Sequence, residues 1–164
     1  MIYRIKQFIQ AISAKMTVED IEFVKSYLSK KEQELFFQLK IYEQSHSLRV
    51  AKNMIKEDGS LNAEDKRERI RIGLLHDIGK IKYPLNPIEK SIIVVLDKIT
   101  GGRISKARRL KIVKCYYEHP QLGYELLSEI GGYEVEFLQA IKNHHEPQPR
   151  TEKVRLLKQC DDAA

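Results

Sequence analysis

The chain is predicted to be an all-α protein folded as a single-domain helical bundle. Three observations carry that expectation. Apolar residues recur at spacings of three and four through most of the chain. Proline and paired glycine fall between those periodic stretches. No stretch alternates apolar and polar residues for long, as a half-buried strand would. A length of 164 residues suits one domain that buries about two-thirds of its unfolded surface.

The elements follow in order. Ile2, Ile5, Ile9, Ile12 and Met16 lie on one face of a helix over 2–16, with Arg4, Lys6 and Lys15 elsewhere on its surface. This helix is expected to pack on the domain, not to lie on a membrane. Thr17 reads as an N-cap, with Glu19 and Asp20 favouring the positive end of a helix to about residue 28. A long helix over 31–56 carries Leu35, Leu39, Tyr42, His46, Val50 and Met54 near one face and stops at Asp58-Gly59. Asn62-Ala63-Glu64-Asp65 opens a helix that ends at Gly79, and Pro84 and Pro87 mark a loop. Helices are expected over 88–99, 105–117, 120–131, 133–145 and 151–162, with breaks at Gly101-Gly102, Pro120 and Gly131-Gly132. Short links argue against a second domain. Residues 1–30 are expected to be helices packed on a functional domain of 31–164.

Composition narrows the class. The chain is 42% apolar and 32% charged, as ordinary soluble proteins are. Its longest apolar run, around Ile92-Ile93-Val94-Val95-Leu96, is too short to span a bilayer, and no secretory leader is evident. Cys115 and Cys160 match no paired-cysteine site, which points to a reduced, cytoplasmic setting. A net charge of +6 favours anionic partners. Nucleic acid is compatible with that charge, but neither a binding motif nor an aromatic stacking platform is recognisable. Nothing in the sequence specifies an oligomeric state.

The chemistry is concentrated in the histidines. All five stand in one ordered pattern with two aspartates: His46, His76-Asp77, His119, His144-His145 and Asp161. Imidazole and carboxylate together hold borderline divalent cations. Adjacent helical residues point about 100° apart, so a pair shares a target only where its helix loosens. Gly79 and Pro147 follow the two pairs closely and provide such endings, at the helix end whose dipole favours a cation.

The stretches Leu74-Leu75-His76-Asp77-Ile78-Gly79-Lys80, Glu118-His119-Pro120 and His144-His145-Glu146 resemble the HD-domain phosphohydrolase superfamily, in particular its HDIG subset. The order His46, His76-Asp77, Asp161 matches its signature, and His119, His144 and His145 resemble its two-metal branch, which includes HD-GYP phosphodiesterases. The chain departs from HD-GYP domains after His145-Glu146, where Pro147-Gln148-Pro149-Arg150 replaces the Asp-Gly-x-Gly-Tyr-Pro stretch. The resemblance covers roughly 40–164. It implies a bundle of the HD-domain type and two divalent metals, Fe or Mn first, with Ni, Co, Zn or Mg also compatible. His46, His76, Asp77 and Asp161 would hold one ion and His119, His144 and His145 the other, with Asp77 as the bridge. A metal-bound hydroxide would attack phosphorus in a small-molecule nucleotide, a phosphodiester such as a cyclic dinucleotide ahead of a monoester. Asp77 and Lys80 are the expected catalytic residues, with Lys80 neutralising phosphate. Arg103, Lys106 and Arg109, in a strongly cationic stretch, are expected to bind phosphate at the rim. The runner-up readings are a nucleotide phosphomonoesterase and a non-catalytic nucleotide- or partner-binding module.

Overall fold

The computed structural model describes residues 13–56 and 61–164. Among them it contains eight α-helices, two 3-10 turns and no strand. The helices are α1 (Val18–Tyr27), α2 (Lys30–Phe36), α3 (Ile41–Asn53), α4 (Ala63–Leu75), α5 (Pro87–Thr100), α6 (Lys111–Ile130), α7 (Val135–Asn143) and α8 (Glu152–Ala163). The 3-10 turns are Ile78–Lys82 and Arg103–Lys106. None of these helices is long and apolar enough to cross a membrane.

Local chemistry explains most boundaries. Thr17 and Asp20 form a reciprocal capping box at the start of α1. Asn86 and Glu89 do the same for α5, with Pro87 at its first position. That helix stops at Gly101, whose φ of 57° is left-handed and favours glycine. The expected helix over 2–16 lies mostly outside the described residues, as does the expected stop at Asp58-Gly59. The described end of the first of these, 13–16, is not helical.

Three expectations need correction. The helix over 31–56 is two helices, broken where Lys40 is extended. No glycine or proline marks this break. The Gln44 side chain donates to the Leu39 carbonyl at 2.8 Å, replacing a helical hydrogen bond, while Phe36, Leu39 and Tyr42 all turn inward. Conversely, the helices over 105–117 and 120–131 are largely one, α6, which runs through Pro120. A proline removes one ladder bond, and here burial of Val113, Cys115, His119, Leu126 and Leu127 along one face outweighs that loss. Residues 105 and 106 belong to the second 3-10 turn instead. The helix expected to reach Gly79 stops at Leu75, and the chain tightens into the first 3-10 turn.

The core centres on α4. Its Ile70, Ile72, Leu74 and Leu75 are fully buried, against Val50 and Ala51 of α3, Phe137 and Ile141 of α7 and Val24 of α1. A Cβ on Gly73 would lie 2.5 Å from Ala51 Cα, so glycine there lets α3 and α4 touch along their backbones.

A polar clamp braces this core. Glu32 is 1% exposed. It accepts from Arg71 at 2.7 Å, Tyr133 at 2.9 Å and the Ser29 backbone at 2.7 Å. Burial pushes its carboxyl up, but Arg71 and the Ser29 N–H outweigh this and hold it below the usual range. Its stabilisation is therefore full above the unfolded carboxyl pKa and is lost as pH falls through the lower folded value. Glu32→Gln should cost about 3 kcal/mol at neutral pH, because Arg71 loses its buried counter-charge. It should also flatten the acid limb of stability below pH ~4. Urea unfolding at neutral and acid pH reads both, and an unchanged midpoint at neutral pH would show that the clamp contributes nothing.

Candidate metal centre

Five structural elements deliver the histidines and aspartates to one point. His46 projects from the middle of α3. His76 is the terminal cap of α4, and Asp77 follows with φ −98° and ψ 8°, outside the helical basin. That change of backbone lets two adjacent side chains share a target. The other pair stands at the end of α7, where His144 is the cap and the helix stops. His119 comes from α6 and Asp161 from the last turn of α8.

Asp77 sits between two groups. Its Oδ2 lies 3.4 Å from His76 Nε2 and 3.9 Å from His46 Nε2. Its Oδ1 lies 3.2 Å from His119 Nε2 and 3.8 Å from His144 Nε2. Asp161 Oδ1 is 2.8 Å from His46 Nε2 and 3.6 Å from His76 Nε2. His145 is the most exposed of the seven side chains, at 48%, with Nδ1 3.9 Å from Asp161 Oδ2 and Nε2 3.2 Å from His119 Nε2. Two sets thus have potential donor atoms within 4.8 Å of one another: His46, His76 and Asp161, and Asp77, His119, His144 and His145.

The hydrogen bonding behind the rings makes this arrangement suitable for a cation. His76 Nδ1 donates to Gly73 O at 2.8 Å, His119 Nδ1 to Cys115 O at 2.7 Å and His144 Nδ1 to Ile141 O at 2.6 Å. A carbonyl can only accept, so each Nδ1 carries hydrogen and each Nε2 of a neutral ring offers a lone pair inward. His76 Nε2, His144 Nε2 and Asp77 Oδ1 are buried without a hydrogen-bond partner. Buried polar atoms left unpaired are costly, and divalent cations at the two donor sets would satisfy all three. The residues present therefore fit divalent metal.

Electrostatics favour ligand forms at Asp77, Asp161, His46, His144 and His145, and His76 is the exception. Burial pushes the Asp77 carboxyl up, but Lys80 and His76 outweigh it and hold it well below the usual range. Asp161 is likewise held well below, as hydrogen bonds from His46 and His76 overcome burial. Burial and His145 keep His144 far below the ordinary imidazole value, and burial and His119 bring His145 down to about 3. His46 is lowered by burial against the pull of Asp161. His76 alone is raised: burial lowers it, but Asp77 and Asp161 carry it to about 10. At neutral pH both carboxylates are ionised and His144 and His145 are neutral ligand forms.

A cavity of about 380 Å³ opens onto this centre, lined on its apolar side by Leu85, Ile93, Val94 and Tyr116. Its cations are Arg49, Lys80 and Lys90. Lys80 Nζ contacts Asp77 Oδ2 and donates to Glu43 Oε2 at 3.2 Å. Asp77 and Glu43 outweigh burial and hold the ammonium charged. Arg103, Lys106 and Arg109, by contrast, are not among the residues that line the cavity. The 3-10 turn that carries the first two follows the C-terminal end of α5, whereas the cavity lies along residues 87–95 of that helix.

Sequence reasoning missed Glu43 and Lys90. Glu43 is 3% exposed, and Lys90 Nζ reaches it at 3.4 Å. Burial raises the Glu43 carboxyl, but Lys80 and Lys90 bring it down to about 2. The available signal was that Glu43 stands three residues before His46, on the same helical face. Cys160, although next to Asp161, is buried and belongs to neither donor set.

Comparison with curated proteins and with solved structures yields no match. The family model for the HD domain matches residues 44–164, from within α3 through the end of α8, and so spans every histidine and aspartate of the centre. HD domains are in general metal-dependent phosphohydrolases. With that match over most of its length, the chain belongs to the HD-domain phosphohydrolase superfamily.

Proposed function

We propose that this protein hydrolyses a nucleotide phosphoester, a phosphodiester ahead of a monoester, with two divalent metals, Mn or Fe first. One observation carries the reading: the two oxygens of Asp77 face two separate histidine groups. A carboxylate has an oxygen for each of two ions, whereas an imidazole has a single free lone pair. His46, His76 and Asp161 would hold one ion, His119, His144 and His145 the other, and Asp77 both. When bound, such a pair lowers the pKa of a water and neutralises charge on a phosphoryl group.

The protein's own residues do the rest. The backbone carbonyls of Gly73, Cys115 and Ile141 fix the tautomer and aim of three rings. Lys80, tethered by Glu43, supplies a positive charge beside Asp77, and Lys90 adds a second at the wall. Leu85, Ile93 and Tyr116 form an apolar flank that suits a nucleobase. The cavity is at the small end of ligand sites, about 300–1,000 Å³, so a cyclic dinucleotide would place one half inside.

Protein purified without oxygen and loaded with Mn or Fe should hydrolyse a nucleotide phosphodiester faster than the matching monoester. Chelator should abolish turnover, and excess metal should restore it. Metal at about 100 times its dissociation constant should also raise stability by about 2.7 kcal/mol, seen as a higher unfolding midpoint. Faster monoester cleavage would reassign the substrate class. Tight nucleotide binding with no turnover by metal-replete protein would reassign the chain to a binding module.

A further inference from the structure

We propose that α5 and the cationic segment after it form a docking face for an anionic lipid surface. The apolar half of that face is exposed. Ile88, Ile92, Val95, Leu96 and Ile99 are 62%, 47%, 54%, 37% and 75% exposed. Their spacing of four, three, one and three puts them on one arc of the helix, about 100° wide. The adjoining side of α5 buries Ile93, so the helix is seated on the domain by one face and presents a second apolar face outward. Elsewhere among the described residues, the exposed large apolar residues Val18, Phe37, Ile41 and Val135 fall on several different elements, without such a stripe.

The charge beside this stripe decides what covers it. From Lys98 to Lys111 the chain carries Lys98, Arg103, Lys106, Arg108, Arg109 and Lys111, all exposed, and no carboxylate. Leu110, 53% exposed, stands among them. A second copy of the chain laid on α5 would bring an equally cationic segment with it. A bilayer with anionic headgroups meets both halves: branched aliphatic side chains enter the headgroup–acyl boundary, and the cations meet the phosphates and carboxylates above it. The stripe also borders the cavity, since Val95 belongs to both, so docking would hold the cavity mouth near the lipid surface. This inference does not depend on which phosphoester is hydrolysed.

Flotation of the full chain with phosphatidylcholine vesicles, with and without phosphatidylserine, tests it. Binding should be at least tenfold tighter with phosphatidylserine and should weaken as salt rises. Ile92→Glu/Ile99→Glu, at exposed positions outside the cavity wall, should abolish it with the unfolding midpoint unchanged. Arg108→Glu/Arg109→Glu should weaken it more than tenfold, at about fivefold for each cation near the surface. Equal binding to both vesicle types overturns the proposal. So does salt-sensitive binding that survives Ile92→Glu/Ile99→Glu, because the stripe then plays no part. Concentration-dependent dimerisation lost in that variant, without vesicle binding, assigns the face to a second copy.

Discussion

Gly79→Ala should destabilise the protein by about 3–5 kcal/mol and empty the metal centre along with it. A Cβ at residue 79 would stand 2.0 Å from the His119 carbonyl oxygen and 2.6 Å from the Gly123 backbone nitrogen. Both are backbone atoms of α6, so no side chain can rotate away. The turn Ile78–Lys82 would have to lift off α6. That turn follows directly on His76 and Asp77, and α6 carries His119, so the movement would pull apart both faces of the centre. The measurement is a urea unfolding midpoint with metal content on the same sample. A variant with the parent midpoint and full metal would mean that this turn does not rest against α6 as described. Gly123→Ala makes a graded comparison: its Cβ would meet Ile141 Cγ2 at 3.2 Å and Gly79 N at 3.3 Å, a contact that a small shift can relieve. A smaller loss is expected there, of about 1–2 kcal/mol.

Asp77→Asn should remove at least one metal per chain and lower turnover about 10³-fold or more. The amide keeps the shape of the carboxylate but not its charge, and only one of its two arms can accept. If the amide oxygen faces Lys80 and His76, the NH₂ group faces His119 and His144, and no lone pair remains for that side. If it is flipped, the NH₂ group points at the Lys80 ammonium. Either way Lys80 loses the Asp77 counter-charge, and in the flipped form it keeps only Glu43 as a close acceptor. Metal analysis and single-turnover hydrolysis would check the effect. Full metal content with parental turnover would rule out Asp77 as the shared ligand and remove the main support for the two-ion reading.

Much of this molecule was legible in its sequence. Capping residues gave the starts of α1 and α4, because Thr17 and Asn62 act on backbone donors within three residues of themselves. The break between α2 and α3 was not legible, since Gln44 replaces a missing helical bond only once the chain has turned. Pro120 misled for the opposite reason: it carries a local signal to stop, and the burial of neighbours on α6 overrides it.

The sequence by itself determined the fold class, the HD-domain family and the set of five histidines and two aspartates. Those rest on periodicity, short motifs and residue type, which are local properties. Only the tertiary structure decided that Asp77 faces two groups, that Glu43 and Lys90 join the site and that Arg103, Lys106 and Arg109 stand off the cavity wall. A buried charge such as Glu43 is written like any solvated one, and its partners Lys80 and Lys90 are separated from it by 37 and 47 residues of chain. Direction, burial and distance arise when helices pack, and no spacing along one chain encodes them.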